Sequence, residues 1–322
     1  MADLVLAVDI GGTKFAAGLV GPDGELVSSA RAATPPDGDA ESLWEALDAL
    51  LDGLGAPEDV TGVGIGCGGP MTWPSGEVSP LNITGWRDFP LRERIAARFP
   101  GLPVRIHNDA ICLAIAEHWL GAGRGSDNML GMVVSTGVGG GLILGGRLID
   151  GGTGNAGHIG HVVVDPEGTP CRCGSRGCLE AIARGPGLAE WALEQGWTPG
   201  ARADDGEGLY QEAVTATARR LAGDAAAGDP IALAAMTRAG RALGLAIASA
   251  TNLCDLDVVT VGGGLSQAGP LLFDPLEKAL REHTRMDFAG RVRVVPASLG
   301  QDAGLIGAAA LVLAADRYWS AR

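Results

Sequence analysis

The chain is poor in positive charge. Lys and Arg together number 24 against 38 Asp and Glu, the formal net charge is −14, and no run of Lys or Arg occurs. Binding to nucleic-acid phosphates requires a clustered basic surface, so we expect neither DNA nor RNA as a partner. Acidity favours solubility and by itself does not identify a partner.

Signals for a membrane or for export are also lacking. The best apolar run by inspection, Gly304 to Ala315, reaches about half of the length that a bilayer core requires. The start of the chain has no basic n-region, apolar h-region or cleavage site. We therefore expect a cytoplasmic protein with reduced thiols and no membrane partner.

The common nucleotide-binding motifs are missing as well. Lys14 is followed by Phe15 and lacks the spacing of a phosphate-binding P-loop. The segment Gly64–Gly69 matches Gly-x-Gly-x-x-Gly, but Pro70 follows where a helix would have to begin. The sequence thus predicts neither a P-loop nor a Rossmann dinucleotide site.

A cluster of cysteines is the most informative feature that is present. Half of the six cysteines lie between Cys171 and Cys178, and His161 precedes them by ten residues. Three thiolates and one imidazole can close a tetrahedral zinc site, whereas a disulfide is disfavoured in a reducing compartment. Four protein ligands leave no position for water, so the predicted zinc is structural. The predicted zinc ligands are His161, Cys171, Cys173 and Cys178.

Short β-branched runs alternate with longer helical stretches, which indicates an α/β protein of about two domains. A Gly- and Asp-rich loop is expected at Gly196–Gly208. The predicted strands are Leu4–Val8, Lys14–Val20, Glu25–Ala33, Val60–Cys67, Val104–His107, Met129–Ser135, Gly141–Leu144, Val162–Val164, Asp257–Val261 and Val292–Pro296. The predicted helices are Ala40–Leu54, Ala110–Leu120, Leu209–Leu221, Ile231–Asn252, Leu271–His283 and Asp302–Tyr318.

One pattern occurs twice, at Val5–Lys14 and at Gly131–Gly140. Each copy is a buried strand, a turn of glycine and small polar residues, and a second strand, which predicts a β-hairpin with exposed backbone amides at its tip. A single copy would fit an ordinary tight turn, but two copies favour polyphosphate binding. Asp9 could then hold Mg²⁺, directly or through water, while the amides and hydroxyl of Gly11–Thr13 contact phosphate.

His107-Asn108-Asp109 ends a predicted strand and precedes a helical run. Asp109 at that position fits a helix N-cap. It also fits a general base, since phosphoryl transfer needs a carboxylate within hydrogen-bond reach of the attacking hydroxyl. Both interpretations are compatible with the local sequence.

Several of these segments, taken together over almost the whole chain, resemble the ROK family of sugar kinases, repressors and related proteins. The segments that carry the resemblance are Asp9–Lys14, Asn108-Asp109, Ser135–Gly141, Gly160-His161 with Cys171–Cys178 and Glu180, and Val261–Ser266. The resemblance implies a two-domain α/β fold of the actin, hexokinase and ribonuclease H type, with ATP and a sugar in a cleft between domains. We assign residues 1–120 plus 302–322 to a small α/β domain and 121–301 to a large one that carries the zinc loop, and we expect a homodimer or homotetramer.

The same resemblance assigns roles to individual residues. Asp109 is the expected catalytic base for a sugar hydroxyl. The expected substrate-binding residues are Asn82, Asn108, Asp109, His158, His161 and Glu180. The expected ATP and magnesium residues are Asp9, Gly11, Gly12, Thr13, Lys14, Thr136, Gly137, Gly262, Gly263 and Gly264.

His158 departs from the glucokinase pattern of this family, which has Glu-x-Gly-His where this chain has His158-Ile159-Gly160-His161. The His form resembles bacterial N-acetylmannosamine kinases, whereas the segment Val78–Trp86 is similar to glucokinases. His158 marks either a tolerant pocket edge or a change in recognition near C2 or C3, because a neutral imidazole offers one acceptor and one donor.

The resemblance thus implies an ATP-dependent hexose kinase that acts on the 6-hydroxyl of glucose or a closely related amino sugar. N-Acetylmannosamine and 3-amino-3-deoxyglucose (kanosamine) are the alternative substrates. A sugar-sensing regulator is the alternative of another class. Family repressors carry a helix-turn-helix before the first Asp-x-Gly-Gly-Thr, and only eight residues precede Asp9, so we do not expect DNA binding.

Overall fold

Two five-stranded sheets organise the chain. The structure, a computed structural model, describes residues 3–55, 59–199 and 210–320. The strands are β1 (Leu4–Ile10), β2 (Lys14–Val20), β3 (Leu26–Ala33), β4 (Val60–Cys67), β5 (Met71–Thr72), β6 (Glu77–Val78), β7 (Val104–Asn108), β8 (Met129–Val134), β9 (Val138–Leu144), β10 (Arg147–Leu148), β11 (Val258–Gly262) and β12 (Arg293–Pro296). The helices are α1 (Ala40–Leu54), α2 (Leu91–Arg98), α3 (Asp109–Trp119), α4 (Leu179–Ala183), α5 (Gly185–Glu194), α6 (Tyr210–Ala226), α7 (Pro230–Cys254), α8 (Pro270–His283), α9 (Ala303–Leu313) and α10 (Ala315–Tyr318).

Contacts between Cα atoms divide the chain into two compact units. The first unit comprises residues 1–127, 141–157 and 297–322, and the second comprises 128–140 and 158–296. The predicted domains, 1–120 plus 302–322 and 121–301, stay a prediction.

The sheet of the first unit has the strand order β3-β2-β1-β4-β7. β2 is antiparallel to β1 and β3, while β1, β4 and β7 run parallel. The carboxyl ends of β1, β4 and β7 therefore share one edge, where α/β folds commonly bind ligands. The expectation that Gly64–Gly69 is not a Rossmann site agrees with this fold, because β4 is followed by the short strand β5 and not by a helix.

Glycines allow α9 to lie unusually close to this sheet. A Cβ on Gly64 of β4 would lie 1.9 Å from the carbonyl oxygen of Ala308 in α9. A Cβ on Gly307 of α9 would lie 1.7 Å from the carbonyl oxygen of Cys112 in α3. Any larger residue would push the backbones apart, so α3, α9 and β4 are fixed against one another by glycine.

The second sheet has the strand order β10-β9-β8-β11-β12, and the boundary between the units falls within β9. In the second unit α7 packs against α8, α6 and α5. Within the described residues, α7 is the one helix long and apolar enough to cross a membrane, with a mean hydropathy of 1.4 over an 18-residue window. The expectation that no stretch reaches this length was wrong. However, 61% of that window is buried, as in a core helix.

Other differences from the expected elements are local. The predicted strand Val162–Val164 is only an isolated bridge between Val163 and Cys178. The predicted closing helix is divided at Ala314 into α9 and α10. The predicted loop Gly196–Gly208 lies mostly outside the described residues, which end at 199 and resume at 210.

Candidate functional site

Strand register brings the polar residues of the first unit to one sheet edge. In the parallel ladders, Asp9 of β1 pairs with Gly66 of β4, and Gly66 pairs with His107 of β7. One residue further on, Cys67 pairs with Asn108. Because the register aligns these positions across β1, β4 and β7, Asp9 and the Asn108–Asp109 segment lie at the same edge of the sheet.

Asp109 is the first residue of α3, and Asn108 is its N-cap. The Asn108 Oδ1 accepts a hydrogen bond from the Ala110 N–H at 3.0 Å, and the Asp109 Oδ1 accepts from the same N–H at 2.8 Å. A helix N-terminus stabilises negative charge in its first turn. The interpretation of Asp109 as the N-cap was wrong, because Asn108 takes that position and Asp109 is the first helical residue, with its carboxylate at the sheet edge.

Two glycines after β4 leave room beside these side chains. A Cβ on Gly68 would lie 3.9 Å from the Asp109 Oδ2, and a Cβ on Gly69 would lie 3.3 Å from the Asn108 Nδ2. The chain after β4 thus passes close to the amide and the carboxylate.

Asp9 is a perturbed carboxyl group. Burial raises its pKa to about 6, the nearby Asp109 charge adds to the increase, and the charges of Lys14 and Arg31 oppose it. Gly304 of α9 makes space for this group, because a Cβ there would lie 2.4 Å from the Asp9 Oδ2. A half-buried carboxylate of this kind has the donor chemistry that Mg²⁺ prefers, and a bound cation would favour its ionised form.

The turn between β1 and β2 is held from both sides. The Gly11 N–H donates to the Lys14 carbonyl at 3.0 Å, and the Thr34 hydroxyl donates to the Gly11 carbonyl at 2.8 Å. A Cβ on Gly12 would lie 2.6 Å from the Cβ of Asn82. The first hairpin predicted from the sequence is confirmed, and Asn82 lies directly against its tip.

Aromatic packing holds the Asn82 segment in place. Trp86 is fully buried and stacks between Phe15 and Phe89, with ring centroids 6.0 and 4.5 Å apart. The Arg87 guanidinium donates to the carbonyl oxygens of Pro80 and Ile83, both at 3.1 Å. The exposed Asn82 therefore lies in a loop whose backbone is anchored on either side.

The second hairpin, β8–β9, is confirmed in the second unit. Its turn closes through the Ser135 N–H, which donates to the Gly137 carbonyl at 2.8 Å. The Glu180 Oε2 accepts from the Val138 N–H at 2.9 Å, and a Cβ on Gly137 would also lie 2.9 Å from this oxygen. A side chain at position 137 would therefore require the Glu180 carboxylate to shift.

The His158–His161 segment packs on the same hairpin. A Cβ on Gly160 would lie 2.0 Å from the Val138 carbonyl oxygen, so only glycine allows this approach. The rings of His158 and His161 are nearly parallel, with centroids 6.5 Å apart. The second unit therefore brings Gly137, Glu180 and both histidines together around Val138.

The predicted zinc ligands form one cluster. The donor atoms of His161, Cys171, Cys173 and Cys178 all lie within 4.8 Å of one another. The Cys173–Cys178 Sγ separation and the separation of Cys171 Sγ from His161 Nδ1 are both 3.8 Å. Tetrahedral zinc with Zn–S bonds of about 2.3 Å places two sulfur ligands about 3.8 Å apart. The geometry therefore fits zinc.

The thiols of the cluster differ in acidity. Hydrogen bonding from the Ser175 backbone N–H lowers the pKa of Cys173, whereas burial raises the pKa of Cys178 to about 12. A cation between the sulfurs would supply the charge that Cys178 needs to ionise. Nδ1 is the ring nitrogen of His161 that contacts Cys171 Sγ.

A cavity of about 390 Å³ lies in the second unit, next to the tip of the second hairpin. It falls within the size range of small-molecule sites, about 300–1,000 Å³. Thr136 and Gly264 both line it, together with Pro186, Ala218, Arg219 and Leu265. Gly263, at φ +90°, approaches the Val134 backbone so closely that a Cβ would lie 2.4 Å from its carbonyl oxygen. Gly264 of the predicted Gly262–Gly264 segment and the turn of the second hairpin thus border the same cavity.

Within each unit the structure groups the residues that the sequence predicted. It also adds Thr34, Gly304 and the Gly68-Gly69 pair, which the sequence analysis missed. Thr34 and the Gly68-Gly69 pair could have been found from the sequence, since each directly follows a predicted strand. Gly304 carried no local signal, because its contact with Asp9 joins distant parts of the sequence.

Comparison with known proteins agrees with this geometry. Residues 5–315 match the ROK family. The chain is 34% identical over 313 residues to a glucokinase of Thermotoga maritima, covering 96% of each chain. It is 37% identical over 309 residues to an N-acetylmannosamine kinase of Yersinia pseudotuberculosis, covering 94% of this chain and 96% of that one.

Among solved structures, a ROK family glucokinase from Streptomyces griseus in complex with glucose and AMPPNP has a TM-score of 0.78. It is 35% identical, and the alignment covers 96% of this chain and 98% of that chain. The predicted two-domain α/β fold of the actin and hexokinase type is confirmed by these relatives. Because the family match extends over nearly all of the sequence, the chain belongs to the ROK family.

Proposed function

We propose that this protein is an ATP-dependent sugar kinase that transfers the γ-phosphoryl group to the 6-hydroxyl of glucose or a closely related amino sugar. The observation that carries the proposal is the placement of Asp109 at the edge shared by β1, β4 and β7, beside Asn108 and the perturbed Asp9. The glucokinase relatives give the substrate class.

Asp109 is the catalytic base in this proposal. Its carboxylate accepts the proton of the sugar 6-hydroxyl as that oxygen bonds to the γ-phosphorus, and the bond from this phosphorus to the β–γ bridging oxygen breaks to release ADP. The other substrate-binding residues in this proposal are Asn82, Asn108, His158, His161 and Glu180, whose amide, imidazole and carboxylate groups bind sugar hydroxyls.

The two hairpin turns bind the phosphates. Backbone amides of Gly12 and Gly137 and the hydroxyls of Thr13 and Thr136 donate to phosphate oxygens, where negative charge develops. Gly11 contributes by closing the first turn through its N–H bond to the Lys14 carbonyl. Lys14 adds a positive charge next to the first turn. Gly262, Gly263 and Gly264 lie next to the adenosine in this proposal, which is supported by Gly264 lining the cavity of about 390 Å³.

Asp9 would hold Mg²⁺, which when bound neutralises charge on the β- and γ-phosphates. His161, Cys171, Cys173 and Cys178 would hold a structural Zn²⁺ that fixes the orientation of the His161 imidazole. This thiol chemistry suits a reducing cytoplasm, and we expect a homodimer or homotetramer there.

A second candidate is N-acetylmannosamine kinase activity, and His158 is the observation that favours it. At this position the glucokinase pattern has a carboxylate with two acceptors, whereas His158 offers one acceptor and one donor. The relative from Yersinia pseudotuberculosis carries that activity in its name and is 37% identical. 3-Amino-3-deoxyglucose has an amino group in place of the 3-hydroxyl of glucose, so His158 could also distinguish this sugar from glucose.

The test is a phosphorylation panel of glucose, N-acetylmannosamine, 3-amino-3-deoxyglucose and mannose with ATP and Mg²⁺. We expect a sugar 6-phosphate, identified by ³¹P and ¹³C NMR, with kcat/KM highest for one of the first three. Asp109→Asn is the matched inactive control. Sugar binding in calorimetry without phosphoryl transfer to any hexose would favour the sugar-sensing regulator instead.

A further inference from the structure

A buried histidine immediately precedes the proposed catalytic segment. His107 is the penultimate residue of β7 and is completely buried. Its ring packs at 6.2 Å from that of Trp73. Polar groups at such depth are normally hydrogen-bonded, and each nitrogen of this ring has a partner within the first unit.

The two ring contacts fix the tautomer of His107. The Asn108 backbone N–H donates to Nδ1 at 3.0 Å, so Nδ1 is an acceptor without a proton. Nε2 lies 3.1 Å from the Asp150 Oδ1 and must therefore carry the proton and donate it. The other carboxylate oxygen, Asp150 Oδ2, accepts from the Ser320 hydroxyl at 2.5 Å. Ser320, Asp150, His107 and the Asn108 N–H thus form one hydrogen-bonded chain, in which Asp150 accepts from both Ser320 and His107.

This chain ends at the peptide that leads into Asp109. The N–H that contacts His107 belongs to Asn108, whose side chain caps α3 and whose successor is the proposed base. Turning that peptide would move the cap and the first turn of α3 together. Small displacements of a catalytic group are costly, since misplacement by about 1 Å can reduce a rate 100-fold.

We propose that His107, oriented by Asp150, is a positioning residue for Asp109. It does not touch the substrate; it acts through the Asn108 peptide. The proposal rests on the proposed kinase function, because the effect of the misplaced carboxylate is read in phosphoryl transfer.

Two substitutions separate positioning from packing. In His107→Asn, the side-chain Oδ1 takes the place of Nδ1 and can still accept from the Asn108 N–H, but contact with Asp150 is lost. In His107→Gln, the longer amide can reach Asp150 but has no acceptor next to Cγ. We expect His107→Asn to keep kcat within about threefold and His107→Gln to lower kcat about 10- to 100-fold, with KM for ATP unchanged in both.

A purely packing role predicts the opposite order, because Asn leaves the larger gap. The matched control is His118, which lies in α3 of the same unit, is 4% exposed and contacts the Tyr318 hydroxyl and the Ser126 carbonyl. His118→Asn and His118→Gln should lower the melting temperature and leave kcat unchanged at temperatures where both variants are folded.

The tautomer is measured independently of activity by ¹⁵N NMR on histidine-labelled protein, with the His107 signals assigned by their loss in His107→Asn. We expect a proton on Nε2 and none on Nδ1. A proton on Nδ1, or a kcat for His107→Gln equal to or above that of His107→Asn, would overturn the proposal. Wild-type protein that phosphorylates no hexose would instead contradict the proposed function. The NMR measurement of the tautomer would then still test the hydrogen bonds assigned to His107.

Discussion

The two units hold their proposed substrate-facing groups by different means. In the first unit Asp9, Asn108 and Asp109 lie at the carboxyl ends of paired strands, whose register places them at the same edge of the sheet. Helix α9 packs closely against this part of the sheet through its glycines. In the second unit the His158–His161 segment is a three-residue 3-10 helix with its cap, and Glu180 lies in the five-residue helix α4. Between these two elements the chain forms isolated bridges only.

Regular backbone hydrogen bonding therefore fixes the strand ends that carry the first set, to which the His107 ring adds one side-chain contact at the Asn108 peptide. The second set depends mainly on side-chain contacts. The cluster of His161 and three cysteines joins the two short helices, since His161 ends the first and Cys178 directly precedes the second. A cross-link is therefore needed where secondary structure is too short to fix a side chain. We expect the two units to respond differently to substitution.

The largest expected effect is at the base. Asp109→Asn keeps the size of the side chain and an oxygen that can accept from the Ala110 N–H, but it cannot accept a proton from the sugar. We expect kcat to fall by about 10²–10⁴-fold while sugar affinity largely survives. Steady-state kinetics and calorimetry measure the two quantities. A variant with near-normal turnover would remove Asp109 from the mechanism.

Loss of the zinc ligands should affect the second unit most. Elemental analysis is expected to find one zinc per chain in the wild type and none in Cys173→Ser. Loss of a few kcal/mol would lower the melting temperature by about 10 °C and weaken sugar binding. Cys254→Ser is the control, because Cys254 ends α7 and lies outside the cluster. Full thermal stability of Cys173→Ser would contradict a structural metal.

Asp9 should make the metal-free protein less stable as pH rises. Its folded pKa of about 6 exceeds the model-compound value of 3.8, so the unfolded chain ionises first. The folded state is destabilised progressively between pH 4 and pH 6, and by about 3 kcal/mol above that range. Mg²⁺ should restore stability there, because it binds the ionised group.

Denaturant unfolding in EDTA at pH 4.5 and pH 8 measures this effect, and Asp9→Asn should abolish it. Asp39→Asn provides the opposite case, because the Ser42 N–H lowers the pKa of Asp39 and its contribution to stability is lost as pH falls. Equal pH dependence in wild type and Asp9→Asn would show that the Asp9 pKa is not raised.

Gly304→Ala tests the link between α9 and Asp9. The added methyl would lie 2.4 Å from the Asp9 Oδ2 and displace the carboxylate. We expect the Mg²⁺ concentration for half-maximal activity to rise about tenfold, as for changes to groups that orient a metal ligand. Gly53→Ala in α1 meets no atom within 4 Å and is the control for helix propensity. An unchanged Mg²⁺ concentration for half-maximal activity would contradict the assignment of Asp9 as a magnesium ligand.

Much of this arrangement could be predicted from the sequence, because its signals are local. Both hairpins follow from glycine and small polar turns after buried strands, and the cysteine cluster follows from ligand spacing. The contact of Gly304 with Asp9 and that of Asp150 with His107 could not be predicted, since they join segments that meet only after folding. The strand predicted at Val162–Val164 failed because β-branched residues favour strands only where a partner strand is available.

The smallest expected effect, and the one that decides substrate choice, is at His158. If the imidazole reads the C2 or C3 substituent, His158→Glu restores a carboxylate with two acceptors and shifts the ratio of kcat/KM values toward glucose over N-acetylmannosamine. One hydrogen bond contributes about 0.5–1.5 kcal/mol, so the ratio should change several-fold to about tenfold. His283→Glu, an exposed site at the end of α8, controls for the added charge. An unchanged ratio for His158→Glu, measured with both sugars at fixed ATP and pH, would assign specificity to the Asn82 loop or to Glu180 and leave His158 as a tolerant edge of the pocket.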